Sequence, residues 1–184
     1  MSAGRGVIHA EMPEQKQGLM QGFQLWVNLP AKDKMSAPAY QEFPAEQIAE
    51  EKLAQGGLVR VVAGTTKQGT QGPVKQLDIE PIYMDISLSQ GTIFAQPISP
   101  SANAFVYVIE GSLCIANNTV NQGNIAILSA GDKVTLQGLA TTTRILLVAG
   151  EPIGEPVAKG GPFVMNTREE LMQAFQDFQT GRFL

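Results

Sequence analysis

The sequence predicts an all-β protein: one complete jelly-roll barrel, the remnant of a second, and a C-terminal helix. Three observations carry this. Short apolar or alternating runs are separated by Gly, Pro, Asn and Asp, the texture of a sandwich or barrel. Seven or eight such runs fall between residues 58 and 149, about the number a jelly roll needs. Near the end the spacing changes, and Leu171, Ala174, Phe175 and Phe178 recur at helical intervals. The domains expected are therefore 1–57 (remnant and linker), 58–165 (barrel) and 166–184 (helix).

The elements follow in order. Over 22–29, Phe23, Leu25, Val27 and Leu29 alternate with Gln24, Trp26 and Asn28, which predicts a strand with one apolar face closed by Pro30. Lys32, Asp33 and Lys34 read as a solvated turn, and 40–43 as a short strand. Pro44 opens an 11-residue stretch with helical spacing, ended by Gly56 and Gly57, so a short helix is expected over 44–54. The β-branched run 58–63 is a strand, and the Gly-rich, polar 64–73 a loop. From Ile82, Met84, Ile86 and Leu88 face one way while Tyr83, Asp85, Ser87 and Ser89 face the other. Further strands are expected over 92–98, 105–109, 113–116, 125–128, 133–137 and 144–148. Glu110-Gly111-Ser112 reads as a hairpin, and Asn117-Asn118 and Ala130-Gly131-Asp132 as turns. Residues 150–162 read as irregular. Thr167 with Glu170 three positions on has the form of a capping box, and Gly181 of a helix stop.

Composition narrows the function. The chain of 184 residues is 43% apolar and 16% charged with net charge −4, the make-up of a folded globular protein. No basic run offers a surface for phosphates, so direct nucleic-acid binding is not expected. No segment reaches the about 20 apolar residues of a membrane span, and 1–11 lacks a signal-peptide core; the expected compartment is the cytoplasm. The single cysteine, Cys114, excludes an internal disulfide and is expected to be a buried thiol. There is one histidine, His9. A His-rich metal site, or a nucleophile–His pair without His9, cannot be assembled from this sequence alone. Asp78, Glu80 and Asp85 show no spacing for paired acid–base work. Tyr83, Met84, Phe94, Phe105 and Tyr107 are candidates for a small pocket and are better accounted for as core. The stripe Leu171, Phe175, Phe178 is expected to seat the last helix on the barrels.

Three separated motifs carry a family resemblance. Met1-Ser2-Ala3-Gly4-Arg5-Gly6-Val7-Ile8-His9-Ala10-Glu11-Met12-Pro13 resembles the end of the first cupin of the pirin family. Gly22-Phe23-Gln24-Leu25-Trp26-Val27-Asn28-Leu29-Pro30 resembles the strand after it. Gly150-Glu151-Pro152-Ile153-Gly154-Glu155-Pro156-Val157, with Gly161-Pro162-Phe163-Val164-Met165-Asn166-Thr167, resembles its C-terminal signature. The resemblance implies a bicupin, each cupin a jelly-roll double-stranded β-helix, with one divalent metal, usually Fe(II), in the N-terminal cupin. It implies three histidines and a glutamate as ligands, of which His9 and Glu11 are the counterparts here. The two histidines of the upstream His-x-His motif have no counterpart. The expected metal residues are thus His9 and Glu11, with weak or absent binding by this chain alone.

On a strand, residues two apart share a face, so this pair could present an imidazole and a carboxylate to one ion, a combination that suits non-haem iron. The equivalent stretch of the second cupin, 96–105, contains no His, Asp or Glu. No catalytic residue is therefore assigned. The expected function is a truncated, catalytically incomplete pirin-like binding module. The family also implies a quercetin 2,3-dioxygenase-like enzyme, were the missing ligands supplied, or a regulator that binds transcription factors. Loss of early strands would leave 23–29 unpaired, so a homo-oligomer, a dimer through the N-terminal segments, is expected.

Overall fold

A computed structural model describes residues 1–12, 17–75 and 81–183. The chain divides into two compact units, residues 42–152 and residues 1–41 with 153–184.

The 42–152 unit is a barrel of two antiparallel sheets. Its strands are β1 (Ala49–Lys52), β2 (Gly57–Ala63), β3 (Ile82–Ser89), β4 (Ile93–Pro97), β5 (Asn103–Glu110), β6 (Ser112–Ile115), β7 (Asn118–Asn121), β8 (Ile125–Ile127), β9 (Lys133–Gly138) and β10 (Thr142–Gly150). One sheet runs β1-β2-β3-β10-β5-β8 and the other β4-β9-β6-β7. From β3 onward successive strands alternate between the two sheets, except for the β6–β7 hairpin, as in a jelly roll. The alternation along β3 is realised: Met84, Ile86 and Leu88 are buried, and their cross-strand partners Leu147, Ile145 and Thr143 are fully buried too. Val59, Val61, Val106, Val108, Leu113 and Leu136 complete an apolar interior. Tyr83, Phe105 and Tyr107 alternate out of phase with this core, whereas Phe94 and Met84 point into it. The five therefore line no common pocket.

Four segments depart from the sequence reading, each for a physical reason. The helix expected over 44–54 is only a 3₁₀ turn, Ala45–Gln47. Ile48 then turns extended (φ −78°, ψ 118°) and β1 pairs with β2. Cross-strand pairing outweighs the weak helical propensity of so short a segment. The strand expected over 22–29 is absent, because no described segment offers it a ladder. Its Phe23, Leu25, Trp26 and Val27 are 51%, 43%, 66% and 57% exposed. Residues 40–43 likewise form no strand, and the only bridge nearby is Ser2 with Ala39. Cys114, expected inside, is half-buried, since Leu113 and Ile115 take the inward positions of β6.

In the other unit, a hairpin of β11 (Ala158–Gly160) and β12 (Phe163–Met165) precedes α1 (Arg168–Gln179). The capping box is complete. Thr167 Oγ1 accepts from Glu170 N at 3.1 Å, and the Glu170 carboxylate accepts from Thr167 N at 2.9 Å. Gly181, at φ 72°, ends the helix in a left-handed conformation that a side chain disfavours. The apolar stripe of α1 seats on this hairpin. Phe163 stands edge-on to Phe175 (centroids 4.9 Å) and is 5.5 Å from Phe183, which also contacts Phe178. The hairpin was not legible because its six residues carry neither alternation nor length. Among the described residues no helix is long and apolar enough to cross a membrane.

Candidate functional site

His9 and Glu11 lie in a stretch with no strand pairing. What places them is the turn before. Ser2 N donates to Ala39 O (2.7 Å) and Arg5 N to Ser36 O (2.8 Å), while Gly6 N closes a turn on Ala3 O (2.9 Å). Gly4 occupies φ +50°, and a Cβ there would overlap the Ser36 carbonyl, so only glycine lets the two backbones approach. The pinned N-terminal segment and residues 38–40 form the walls of a groove of about 510 Å³, lined by His9, Glu11, Met1, Met12, Pro38 and Tyr40. The structure thus brings both sequence-predicted ligands to one groove without the strand expected to align them.

The groove's chemistry is modest. His9 and Glu11 are both exposed, and the Glu11 carboxylate already accepts a hydrogen bond from Gln24 Nε2 at 3.0 Å. Among the described residues no group of three His, Cys, Asp or Glu side chains could hold a metal ion. A 2-His-1-carboxylate iron site needs three such donors, and a closed structural site four. The described residues of the groove supply two, so by themselves they do not fit a resident iron ion. Asp78 and Glu80 lie outside the described residues. Asp85 is engaged elsewhere, held by Arg144 through two hydrogen bonds of 3.0 and 2.6 Å.

Buried polar residues were the harder feature to foresee. Lys34, read from sequence as part of a solvated turn, is 5% exposed. Its ammonium donates to Asn28 Oδ1 (2.7 Å) and Val164 O (3.0 Å). Burial lowers its pKa from the usual lysine value, opposed by the nearby Glu155 and Glu170 carboxylates. Glu155 Oε2 in turn accepts from Ala31 N (2.7 Å) and from Asn166 Nδ2 (3.0 Å). A lysine in a Lys-Asp-Lys run carries no mark of burial; only the return of residues 155–166 encloses it.

In the barrel, Gln96 stands where a metal motif would be sought, and it is 2% exposed. Its Nε2 donates to Thr65 O (2.9 Å) and Pro97 O (3.1 Å), and its Oε1 has no partner. Nearby in sequence, Thr66 Oγ1 donates to the buried Glu51 carboxylate. Along its strand pair Gln96 is flanked by the buried, apolar Phe94, Val134 and Leu136. The described interior of this barrel is therefore chiefly apolar packing.

Comparison with known proteins fits this geometry. The family model for the Pirin C-terminal cupin domain matches residues 83–184, and that for Pirin matches residues 1–27. A Pirin-like protein of Caulobacter vibrioides is 51% identical over 183 residues, covering all of this chain and 66% of the relative. Pirin of Mus musculus is 38% identical over 192 residues, covering 99% of this chain and 63% of its own. The crystal structure of quercetin 2,3-dioxygenase from Acinetobacter baumannii superposes with a TM-score of 0.79 at 32% identity, covering 86% of this chain and 55% of that one. The chain spans about two thirds of the length of the curated relatives it matches.

Proposed function

We propose, from the premise that this chain belongs to the pirin family, that it works as a binding module rather than as a self-sufficient enzyme. One observation carries the reading. The barrel interior is sealed by fully buried aliphatic side chains, and among the described residues the groove at His9 and Glu11 offers an ion two donors. The barrel is then a scaffold, and recognition belongs to surface. The surface that suits a protein partner is the exposed run containing Phe23, Leu25, Trp26 and Val27, since contiguous apolar side chains, with aromatics among them, mark interaction sites. The net charge of −4 fits a protein partner better than a nucleic acid.

A second reading is a quercetin 2,3-dioxygenase-like enzyme. It is favoured by the likeness to the Acinetobacter baumannii enzyme and by the placement of His9 and Glu11 on one groove. On this reading the two side chains hold part of the coordination of an Fe(II) ion, which when bound supplies oxygen activation, and the remaining ligands come from another polypeptide. Tyr40 and Met12 would shape the space for a flat substrate.

The test is metal content together with quercetin turnover of the purified chain after incubation with Fe(II). The binding-module reading expects sub-stoichiometric iron and turnover equal to a protein-free blank. Stoichiometric iron and turnover, both lost in His9→Ala and in Glu11→Ala, would replace it with the enzymatic reading.

A further inference from the structure

The geometry points to β8 as a self-complementary edge through which two copies of this chain pair, antiparallel, about a two-fold axis at Ala126. β8 is the end strand of the six-stranded sheet, and among the described residues it pairs only with β5. The flanking bonds fix which of its backbone groups are used. Val108 N donates to Asn124 O (3.0 Å) and Leu128 N to Ala104 O (2.9 Å). In an antiparallel ladder the bonding residues alternate, so Asn124, Ala126 and Leu128 face β5. Ile125 and Ile127 consequently direct their N–H and C=O groups away from the sheet. Their side chains are 54% and 75% exposed, while Ala126 and Leu128 pack against the core.

Such an edge is ordinarily blunted by shortness, by a Lys or a Pro, or by a bulge that turns it aside, and β8 has the first of these. Here the whole stretch from Gly111 to Gly131 contains neither a charged residue nor a proline, in a chain of net charge −4. It is the stretch on which two copies can approach without mutual repulsion. Ile125-Ala126-Ile127 also reads the same in both directions. With Ala126 on the axis, Ile125 of each copy lies opposite Ile127 of the other. The outward N–H and C=O groups of both residues then find partners, and two Ile–Ile cross-strand pairs form. Continuing the register sets Asp132 opposite Val120 and Lys133 opposite Thr119, so no like charges meet. A two-fold interface pairs residue i of one copy with j of the other and j with i, and here the palindrome sets isoleucine opposite isoleucine on both sides of the axis. Three residues make a short edge, below the about 1,600 Å² of a standard interface, so the dimer is weak and concentration-dependent.

Sedimentation velocity of the full chain over a concentration series into the millimolar range tests this. The average mass should rise from 19.7 kDa toward twice that value. Ile127→Lys, at a site open enough to leave the fold intact, should hold the mass at the monomer value throughout, with an unchanged circular dichroism spectrum. Hydrogen exchange at the amides of Ile125 and Ile127 should slow with concentration in the unsubstituted chain. Trp26→Ser should associate as the unsubstituted chain does. A chain that stays monomeric at the highest concentration overturns the proposal. So does association that survives Ile127→Lys, or association lost in Trp26→Ser, which would assign the contact to the N-terminal segment.

Discussion

The two compact units solve the same problem by different means. The 42–152 barrel satisfies its backbone through long ladders: β10 alone pairs over eight residues with β3 and over seven with β5. Its side chains alternate so strictly that Val59, Val61, Met84, Ile86, Ile145 and Leu147 are all fully buried. The other unit, residues 1–41 with 153–184, has among its described residues one hairpin of two three-residue strands, one α-helix, one 3₁₀ turn and a bridge at Ser2–Ala39. Strands are scarce there, so specific polar contacts and an aromatic cluster do the fastening. The buried Lys34 ammonium joins residues 28, 34 and 164, Glu155 joins 31 to 166, and Phe163 gathers Phe175, Phe178 and Phe183. The difference teaches that long ladders bury alternate side chains as they form, whereas a unit short of strand partners leaves apolar side chains and the candidate ligands His9 and Glu11 exposed.

The contrast can be broken most forcefully in the barrel. Leu147→Ala removes a fully buried side chain between Met84 and Val106. It should lower the unfolding free energy by about 2–5 kcal/mol in urea denaturation. An effect below 1 kcal/mol would show the core looser than its burial states.

A middle-sized effect is expected from Lys34→Met, which keeps the length of the stem and deletes the ammonium. Asn28 Oδ1 and Val164 O lose their donor, at about 1–3 kcal/mol for a buried group left unpaired. Hydrogen exchange should quicken at residues 28–36 and 155–166 and remain unchanged in β3 and β10. The pH dependence sharpens the point. Because the folded pKa of Lys34 lies below its unfolded value, the unfolded chain binds more protons between the two. The Lys34 contribution to stability therefore rises as pH climbs through the folded pKa toward 10.5, and then levels off. The stability difference between the parent and Lys34→Met should follow that course, and a difference that falls over the same range would contradict the assigned burial.

The smallest effect is at the helix start. Thr167→Ala removes one acceptor of the capping box and should cost about 1 kcal/mol, read as a lower melting temperature and faster exchange over residues 168–171. Thr167→Ser, which keeps the acceptor, should restore most of it.

What could be read in advance follows the same divide. In the barrel, period-two alternation is imposed by burial of one face, so Met84, Ile86 and Leu88 declared their orientation and β2, β3, β5 and β10 their positions. The capping box at Thr167 and Glu170 was equally plain, because both partners lie within four residues of each other. Residues 44–54 misled because the local spacing favours a helix while β2 offers a ladder. Residues 22–29 misled in the opposite sense, having strand-like alternation but no partner strand among the described residues. His9 and Glu11 were visible as donors, but their common groove is made by residues 38–40 and not by a strand of their own.

The sequence by itself determined the all-β barrel with its terminal helix, the family, and the small stock of metal donors, since periodicity and residue count are local properties of the chain. Tertiary structure alone decided that Lys34 is buried, that Trp26 is exposed, that Gln96 keeps an unpartnered oxygen in the barrel, and that β8 ends a sheet. Each of these depends on which distant segment comes to lie alongside, and burial, pairing and desolvation are set by that neighbour rather than by the residue.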